Sequence, residues 1–423
     1  MIPQLYTYFK IVLVLSFVDV LILLRVKRLP FWKRNQRIAY TAWWCSSILQ
    51  YLCIFLSLFF IWNNFIVACL QFIPITLLLG KLVVLLFVAF DQIVLRSRDI
   101  GKRLRNKEHP TQEKDRQMVL KRSDFIVKSG ILLSSIPMAA LSRGFLANLY
   151  DYQIKHVNLI LPDLPTSFEG IRIAQISDIH AGSLYNQHAV KRGVDMLLEQ
   201  NPDLIFFTGD LVNDFGSEMD DYLAVFDKVR APLGTFSILG NHDYGDYHFN
   251  RFHFGGEQKL TKEQNLANIK DIHRQLGWRL LLNESEEIII NNDKITVVGV
   301  ENWGANNLLN YGNLDRAMAK VDLSSPINLL LSHDPSHWRA EIIPKYPTID
   351  VTFSGHTHGG QFGYINPHYQ WSPIEYAYSE WAGLYYENQQ ALYVNAGFGY
   401  LDYPSRVGIL PEITIFHLLR QAD

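Results

Sequence analysis

The hydrophobic pattern divides the chain near residue 145. Before that point apolar residues form long runs, and after about Tyr150 they form short runs that each stop at a polar cluster. Long runs are typical of membrane-spanning helices, whereas short β-branched and aromatic runs are typical of strands. The pattern therefore predicts a membrane region over residues 1–145 and a separate domain over residues 150–423.

Four segments of the first part are candidate membrane spans. In chain order they are residues 8–24, 40–62, 65–95 and 125–141. A helix needs about 20 apolar residues to cross the bilayer core, which favours the second and third segments. The third is interpreted as one long helix, tilted or kinked at Pro74. Lys10 and Asp19 weaken the first segment, and the fourth is the shortest and weakest, so we expect three or four transmembrane helices.

Basic residues lie on one side of these spans. Residues 25–37 carry six Lys and Arg and residues 96–122 carry ten, whereas residues 1–7 and 63–64 carry none. The positive-inside rule places both basic loops in the cytoplasm. If residues 125–141 cross the membrane, the following domain is extracytoplasmic; if they lie on the surface, it stays inside. We favour the crossing, and with it a bacterial inner-membrane protein whose catalytic domain is extracytoplasmic.

Charge separates the same two parts. The formal net charge is −2, but up to Arg143 there are 20 Lys and Arg against 7 Asp and Glu, and the remainder has 19 against 34. A basic apolar part followed by an acidic part indicates a membrane anchor beside a globular domain, and it argues against a nucleic-acid partner. The three cysteines (Cys45, Cys53 and Cys69) all fall in the apolar part, so none remains for a disulfide in the domain.

Five apolar runs of the domain end in acidic, amide or imidazole side chains. The segments are IRIAQISDIH (171–180), DLIFFTGD (203–210), GTFSILGNHD (234–243), INLLLSHDP (327–335) and IDVTFSGHTH (349–358). Apolar strands that alternate with helical stretches such as residues 189–200 indicate a sheet buried on both faces. Functional side chains of such sheets collect at the carboxyl ends of the strands, so we expect one shared polar site.

The polar clusters supply seven candidate metal ligands. They are Asp178, His180, Asp210, Asn241, His333, His356 and His358. Imidazole and carboxylate without thiol suit Mn²⁺, Fe or Zn²⁺, and seven ligands suit two ions about 3.5–4 Å apart that share a carboxylate. Asp210, alone at its strand end, is the expected bridge. Alternate residues of an extended segment point the same way, so Asp178 with His180, and His356 with His358, are each expected to reach one ion.

Each motif taken alone also has a structural explanation. SDIH suits a strand end with a helix cap, TGD an ordinary exit from a strand, SHDP a turn before Pro335, and GHTHGGQ a hairpin turn. GNHD has little structural use at a strand end. The occurrence of all five in this order favours a metal centre.

The ordered motifs resemble those of the calcineurin-like metallophosphoesterases. DIH, GD, GNHD, SHDP and GHTH match that family's signature over residues 171–361. The segment VNAGFGYLDYPSRVGILPEITIFHL (394–418) is similar to the closing pattern of its membrane-anchored bacterial phosphodiesterase branch, the YaeI and YkuE type. The resemblance covers about Gln153 to Leu419. It implies an α+β fold of two packed mixed β-sheets flanked by helices, preceded here by an all-α transmembrane region.

The resemblance also implies residue roles. It assigns one metal site to Asp178, His180, Asp210 and His358, and a second to Asp210, Asn241, His333 and His356. His242 matches a histidine that contacts the phosphoryl oxygen or the leaving group, and Asp243 matches the carboxylate that orients this histidine. Residues 244–265 form an aromatic loop that either shapes substrate choice or is a plain surface loop. Arg406 is a candidate for phosphate recognition, with a solvated surface arginine as the alternative.

The function that follows is a membrane-anchored, dinuclear metal-dependent phosphoesterase. It would hydrolyse phosphodiester or phosphoanhydride bonds, with a lipid-linked or envelope phosphoester as substrate and the bilayer as its other partner. The alternative is a UDP-2,3-diacylglucosamine-type pyrophosphohydrolase at the cytoplasmic face, which conflicts with an extracytoplasmic domain. A different class is a sensor or transporter with a binding-only domain. Lys10, Asp19 and Lys81 leave room for it, although they form no clear paired pathway.

Overall fold

The computed structural model describes residues 2–57, 64–104, 113–249, 260–305, 309–321, 325–366 and 368–421. The chain forms two compact units, Met1–Arg143 and Gly144–Asp423.

The first unit is helical. Its described helices are α1 (Ile2–Val26), α2 (Pro30–Arg34), α3 (Gln36–Leu56), α4 (Asn64–Leu104) and α5 (Glu113–Arg143). Three described segments are long and apolar enough to cross a membrane: Gln36–Leu56, Phe65–Gly101 and Gln117–Asn148. The third contains residues 125–141, whereas residues 8–24 lie in α1, which is not among the three. The last residues of the predicted span 40–62, from 58 onward, lie outside the described residues.

A buried polar network connects three helices of this unit. Lys81 Nζ lies 2.8 Å from Asp19 Oδ1 and donates to Ser47 Oγ at 3.0 Å and Gln50 Oε1 at 2.9 Å. Tyr51 donates its hydroxyl to Asp19 Oδ2 at 2.9 Å. The sequence showed no clear paired pathway among these ionisable residues, whereas in the structure Asp19 and Lys81 form a pair. Charges in an apolar environment are costly unless paired, so the pair is retained only while α1, α3 and α4 stay together.

The second unit mixes strands and helices. Its strands are β1 (Gln153–Leu161), β2 (Arg172–Ile176), β3 (Leu204–Phe207), β4 (Thr235–Ser237), β5 (Arg279–Leu280), β6 (Glu284–Ile290), β7 (Asp293–Gly299), β8 (Asn328–Leu331), β9 (Val351–Ser354), β10 (Tyr364–Asn366), β11 (Tyr369–Trp371), β12 (Gly383–Glu387), β13 (Gln390–Val394) and β14 (Glu412–Arg420). Its described helices are α6 (Gln187–Glu199), α7 (Leu223–Phe226), α8 (Asp246–Phe249), α9 (Lys262–Leu276), α10 (Leu314–Met318) and α11 (Ile343–Lys345).

The strands form two mixed sheets and one short hairpin. The first sheet has the order β1-β14-β2-β3-β4-β5, in which only the β14–β2 pair is antiparallel. The second has the order β12-β13-β9-β8-β7-β6, with antiparallel pairs at its two edges. Strands β10 and β11 pair only with each other.

A hydrophobic core joins the two sheets. Phe353 of β9 lies with its ring 5.1 Å from Phe206 of β3 and 5.0 Å from Phe416 of β14. On the outer face of the second sheet, Leu314 of α10 packs in one cluster with Leu330 of β8. On the first sheet, Phe207 meets His273 of α9 at 5.9 Å. The predicted fold of two packed mixed sheets flanked by helices is thereby confirmed.

The packing of the sheets positions the polar clusters. Strands β2, β3 and β4 run parallel in the first sheet, and β8 and β9 run parallel in the second. Each of the five polar clusters begins just after the carboxyl end of one of these strands. Because carboxyl ends of parallel strands meet at one sheet edge, the two packed sheets present their clusters to a common site.

Candidate metal centre

Six of the seven predicted ligands form two groups. One group is Asp178, His180 and His358; the other is Asp210, His333 and His356; within each group the ligand atoms lie within 4.8 Å of one another. The imidazole rings of His180 and His358 are 4.9 Å apart, and those of His333 and His356 are 5.1 Å apart. Strand ends far apart in the chain thus bring the four histidines together.

Asp210 lies between the two groups. Its Oδ2 is 3.1 Å from Nε2 of His333 and 3.5 Å from Nε2 of His180. Its Oδ1 accepts the backbone N–H of His242 at 2.9 Å, which fixes the carboxylate in this orientation. One carboxylate oxygen therefore faces a histidine of each group, as a bridging ligand must. Asn241 joins the second group, because its Oδ1 is 3.1 Å from His333 Nε2.

The backbone of the ligand segments is left-handed at alternate positions, not extended. The φ angle is 54° at Asp178, 48° at His180, 70° at His356 and 51° at His358. Such angles are uncommon for residues with a Cβ and rotate the following side chain away from strand alternation. The expectation that His356 and His358 share one ion was therefore wrong, since they lie in different groups. Asp178 and His180 do share a group, but through turns.

Two glycines allow the ligand carboxylates to lie against the backbone. A Cβ at Gly355 would come within 2.2 Å of Asp178 Oδ2, and one at Gly240 within 2.3 Å of Asp210 Oδ1. Contacts that short do not occur between non-bonded atoms, so any side chain at either position would displace a carboxylate.

Hydrogen bonds orient three of the imidazoles. His333 Nδ1 lies 2.7 Å from the carbonyl oxygen of Thr208, which only an N–H can satisfy, so Nε2 is the nitrogen directed at Asp210. His180 Nδ1 lies 3.1 Å from Asn213 Oδ1 in the same way. His356 instead uses Nε2, which lies 2.7 Å from the hydroxyl of Tyr378. Metal-binding histidines are characteristically held through the nitrogen that does not bind the metal.

Two buried nitrogens show that this donor set fits metal ions. Nε2 of His180 and Nε2 of His358 are buried and have no hydrogen-bond partner among the described residues. Each lies 3.5 Å from a carboxylate oxygen, of Asp210 and of Asp178 respectively. Burying a polar atom without a partner costs free energy, and a coordinated divalent ion removes that cost. Four imidazoles, two carboxylates and an amide are ligands for such ions.

Burial and mutual charge shift the protonation of the site. Burial raises the pKa of Asp178 to about 6 and lowers the pKa of His180 to about 3. Burial also acts to lower the pKa of His333, but the Asp210 charge outweighs it and raises that pKa to about 10. Conversely, the imidazoles of His333 and His242 outweigh burial and hold the pKa of Asp210 well below its usual range. Metal binding at this pair would therefore release a proton from His333.

His242 lies beside the ligands and is oriented by a different group from the one expected. Its Nδ1 is 2.8 Å from the carbonyl oxygen of Asn213, and its ring is 5.0 Å from that of His180. The resemblance gave the orienting role to Asp243, and this was wrong. The Asp243 carboxylate accepts backbone N–H groups of Gly240, Asp210 and Leu211 at 2.8–2.9 Å. It holds the backbone that carries Asp210.

Arg406 is neither a phosphate-binding residue nor a solvated one. Its side chain is fully buried, and its guanidinium donates to the carbonyl oxygens of Ala396 at 2.9 Å and Gly399 at 2.6 Å. Its Nη2 also lies 3.4 Å from Nδ1 of His358. Both sequence interpretations of Arg406 were wrong. Residues 396–399 cover its side chain, and their main-chain carbonyls accept its hydrogen bonds.

Three residues at the site were missed from the sequence. Asn213, Tyr247 and Tyr378 carry no motif, and only the position of Asn213 three residues after Asp210 offered a signal. Tyr247 accepts a hydrogen bond from Asn241 Nδ2 at 3.1 Å, and its ring lies 4.6 Å from His242. The described part of the predicted loop 244–265 thus borders the ligands, while its residues 250–259 lie outside the described residues.

The chain is similar to known phosphoesterases in both of its parts. Residues 171–360 match the family model "Calcineurin-like phosphoesterase", and residues 5–149 match the model "Probable Calcineurin-like phosphoesterase, transmembrane domain". The uncharacterized metallophosphoesterase YkuE of Bacillus subtilis is 29% identical over 60% of this chain and 81% of its own length. A transmembrane protein with metallophosphoesterase domain from Danio rerio is 27% identical over 64% of this chain. An uncharacterized metallophosphoesterase of Helicobacter pylori is 28% identical over 66% of this chain.

The matches leave part of two relatives uncovered, since the aligned region spans 58% of the Danio rerio protein and 66% of the Helicobacter pylori protein. The family models, by contrast, cover the helical unit and the metal centre together. The chain therefore carries a calcineurin-like phosphoesterase domain behind a transmembrane domain, and it is a membrane-associated metallophosphoesterase that hydrolyses phosphoric esters.

Proposed function

We propose that this protein uses two divalent metal ions to hydrolyse a phosphodiester or phosphoanhydride bond of a lipid-linked or envelope substrate. The observation that carries the proposal is the position of Asp210, whose Oδ2 faces a histidine of each ligand group at 3.1 and 3.5 Å. A carboxylate in that position would hold two ions at once, and a pair of ions so held would supply the charge stabilisation and water activation that phosphoryl transfer uses.

The proposed ligands divide between two sites. The first ion is assigned to Asp178, His180, Asp210 and His358, and the second to Asp210, Asn241, His333 and His356. Nitrogen and oxygen donors without a thiolate suit Mn²⁺, Fe or Zn²⁺. When bound, such ions activate water as a nucleophile and offset the charge of the phosphoryl oxygens.

His242 is the proposed acid. The Asn213 carbonyl accepts from its Nδ1–H at 2.8 Å, so Nε2 is the atom left for the substrate. A protonated Nε2 donates a hydrogen bond to a phosphoryl oxygen or a proton to the departing oxygen. The Tyr247 ring, 4.6 Å from the imidazole, limits the directions in which Nε2 can point. Asp243 has a positioning role. Its carboxylate accepts hydrogen bonds from the backbone N–H groups of Gly240 and Asp210 and so holds this part of the backbone in place.

The membrane context supports the substrate class. We assign residues 1–145 to the membrane region and residues 150–423 to the catalytic domain. The candidate span Gln117–Asn148 runs directly into the domain, so the site belongs to a chain held in the membrane, and this supports a membrane-linked substrate. Crossing by residues 125–141 would place the domain outside the cytoplasm of a bacterial cell. A UDP-2,3-diacylglucosamine-type substrate requires the opposite placement, at the cytoplasmic face.

A metal-rescue assay tests the chemistry. The full chain, purified in detergent and stripped with a chelator, is expected to cleave bis(p-nitrophenyl) phosphate only after Mn²⁺ is restored. Asp210→Asn should abolish this cleavage, whereas His188→Gln, at an exposed position of α6, should leave it unchanged. Metal binding by the parent protein without any cleavage of phosphodiesters or of extracted lipids would instead support a binding-only domain.

A fusion experiment tests the placement. β-Lactamase fused to the carboxyl terminus protects cells from ampicillin only when it is exported, so resistance is expected. A sensitive strain that makes the fusion protein at a normal level would remove the extracytoplasmic placement. The substrate search would then move to nucleotide-linked lipids of the cytoplasmic face.

A further inference from the structure

The β10–β11 hairpin exposes an aromatic surface. Tyr364 is 56% exposed, Tyr369 is 59% exposed, and Phe362 just before the hairpin is 40% exposed. Large apolar side chains grouped in this way on a protein surface mark a binding site for a partner or a membrane. Residues 362–374 contain no Lys, Arg, Asp or Glu, so the partner is recognised by apolar and aromatic contact and not by charge.

The strand register places these aromatic residues on one face. Tyr364 pairs with Trp371 and Asn366 pairs with Tyr369, and paired residues of an antiparallel hairpin share a face. Phe362 extends that face, with its ring 6.2 Å from Trp371. On the opposite face, Gln370 donates from Nε2 to the hydroxyl of Tyr385 on β12 at 3.1 Å, which ties that face to the domain, although Ile365 there is 37% exposed. The exposure of Tyr364 and Tyr369 shows that the aromatic face is open to its surroundings.

The base of the hairpin lies close to Asn148, where the chain passes from the helical unit into the domain. Gly363 donates its backbone N–H to the carbonyl of Val407 at 2.9 Å. The neighbouring carbonyl, of Arg406, accepts from Asn148 Nδ2 at 2.9 Å. Asn148 ends the helical turn Gly144–Asn148 that begins the second compact unit, and Leu146 on this turn is 79% exposed. The aromatic hairpin and the first residues of the domain therefore lie on the same side.

We propose that the β10–β11 hairpin docks into the head-group layer of the bilayer that holds the chain's own helices. The candidate span Gln117–Asn148 ends in this helical turn, so a bilayer surface lies within a few residues of it whether the helix crosses or lies along the membrane. Tyrosine and tryptophan prefer the membrane interface, where the ring is in an apolar layer and the polar atom reaches water. Without charged residues, docking requires neither anionic lipid nor low salt.

Docking would also fix the distance between the candidate metal centre and the membrane surface. The hairpin follows the GHTHGGQ segment directly, and Ser372 just after β11 donates its hydroxyl to the carbonyl of Gly359 at 2.8 Å. Gly359 is the neighbour of His358, so the hairpin and a ligand segment are tied together. A docked hairpin would hold the site near the level of lipid phosphates. This consequence rests on the proposed function, but docking itself does not.

Spin-label accessibility tests the docking on the full chain in phosphatidylcholine nanodiscs. The three native cysteines are replaced by alanine, and a nitroxide is attached through Tyr369→Cys in one sample and Ile289→Cys in another. Ile289 on β6, at the far edge of the second sheet, is a matched control because it is 63% exposed. The ratio of relaxation by oxygen to relaxation by a water-soluble nickel chelate is expected to be several-fold higher at position 369, with or without high salt.

Two outcomes would overturn the proposal. A label at position 369 with the same water-side accessibility as the label at 289 would show that the hairpin stays in solution. A label shielded from both reagents would show that protein, such as a second copy of the chain, covers the surface. Tyr364→Cys repeats the measurement one strand away. Because no substrate is needed, failure of docking and failure of the proposed hydrolysis are observed separately.

Discussion

Replacing Asp210 by asparagine tests the link between the two ligand groups. Asparagine has nearly the shape of aspartate and keeps an oxygen to accept the His242 backbone N–H, which the carboxylate accepts at 2.9 Å. The substitution therefore removes one negative charge and puts an NH2 group, which does not bind metal, in place of Oδ2. Because Oδ2 faces a histidine nitrogen of each group at 3.1 and 3.5 Å, both metal ions should lose the same ligand.

The size of the loss follows from the distances. Two unit charges about 4 Å apart interact by about 4 kcal/mol at an effective dielectric constant of about 20. A divalent ion closer than that interacts more strongly, so this value is a lower limit. Since about 1.4 kcal/mol changes affinity tenfold, each ion is expected to bind about 10³-fold more weakly. A variant with one ligand removed from one group, His358→Asn, should weaken mainly the first ion.

Metal content and titration calorimetry measure the difference. After desalting, the parent is expected to keep two Mn²⁺ per chain, the His358→Asn variant one, and the Asp210→Asn variant none. Thermal unfolding of the stripped proteins serves as the control for folding. An Asp210→Asn variant that keeps one ion at parental affinity would refute the bridging role, and one that keeps both would refute the assignment of Asp210 as a ligand.

Three further predictions concern residues around the ligands. His242→Gln is expected to lower turnover of bis(p-nitrophenyl) phosphate about 10²- to 10⁴-fold at unchanged metal content, because its ring belongs to neither group; loss of metal would contradict the assigned role. Tyr378→Phe removes the hydroxyl 2.7 Å from His356 Nε2, and calorimetry should show about 10- to 100-fold weaker binding of the second ion only. Burial lowers the pKa of His273 to about 3, so the unfolded chain binds a proton that the folded domain excludes. Its contribution to the unfolding free energy is fully present above its ordinary pKa of about 6.5 and falls by about 1.4 kcal/mol per pH unit below it. His273→Asn should flatten the acid side of the thermal-unfolding profile, and an unchanged slope would contradict this.

The strands and the polar residues at their ends were accessible from the sequence because both are local signals. The run predicted from Ile171 to Ile176 is β2, which begins at Arg172, and the run in INLLLSHDP is β8. An apolar segment that stops at a polar cluster is visible without knowing what it packs against. The division into two packed sheets, by contrast, came from the family resemblance. The apolar pattern of β3 and β9 does not say that Phe206 and Phe353 meet.

The details of the site depended on long-range packing. Strand periodicity grouped His356 with His358, but left-handed backbone at both positions sends them to different groups. The partner of His242 is a main-chain carbonyl, at Asn213, which no pattern of side chains can reveal. From the sequence Arg406 was interpreted as a phosphate-binding or a solvated arginine, and in the fold it is fully buried.

By itself, the sequence determined the membrane anchor, the succession of strands and the chemical types of the seven proposed ligands, because hydrophobic run length and residue identity are properties of short segments. Only the tertiary structure decided which ligand atoms share a group, which carboxylate lies between the groups and which surface of the domain is aromatic. Those outcomes depend on backbone dihedral angles and on contacts between residues far apart in the chain, where the free energy of the whole packed unit selects one arrangement.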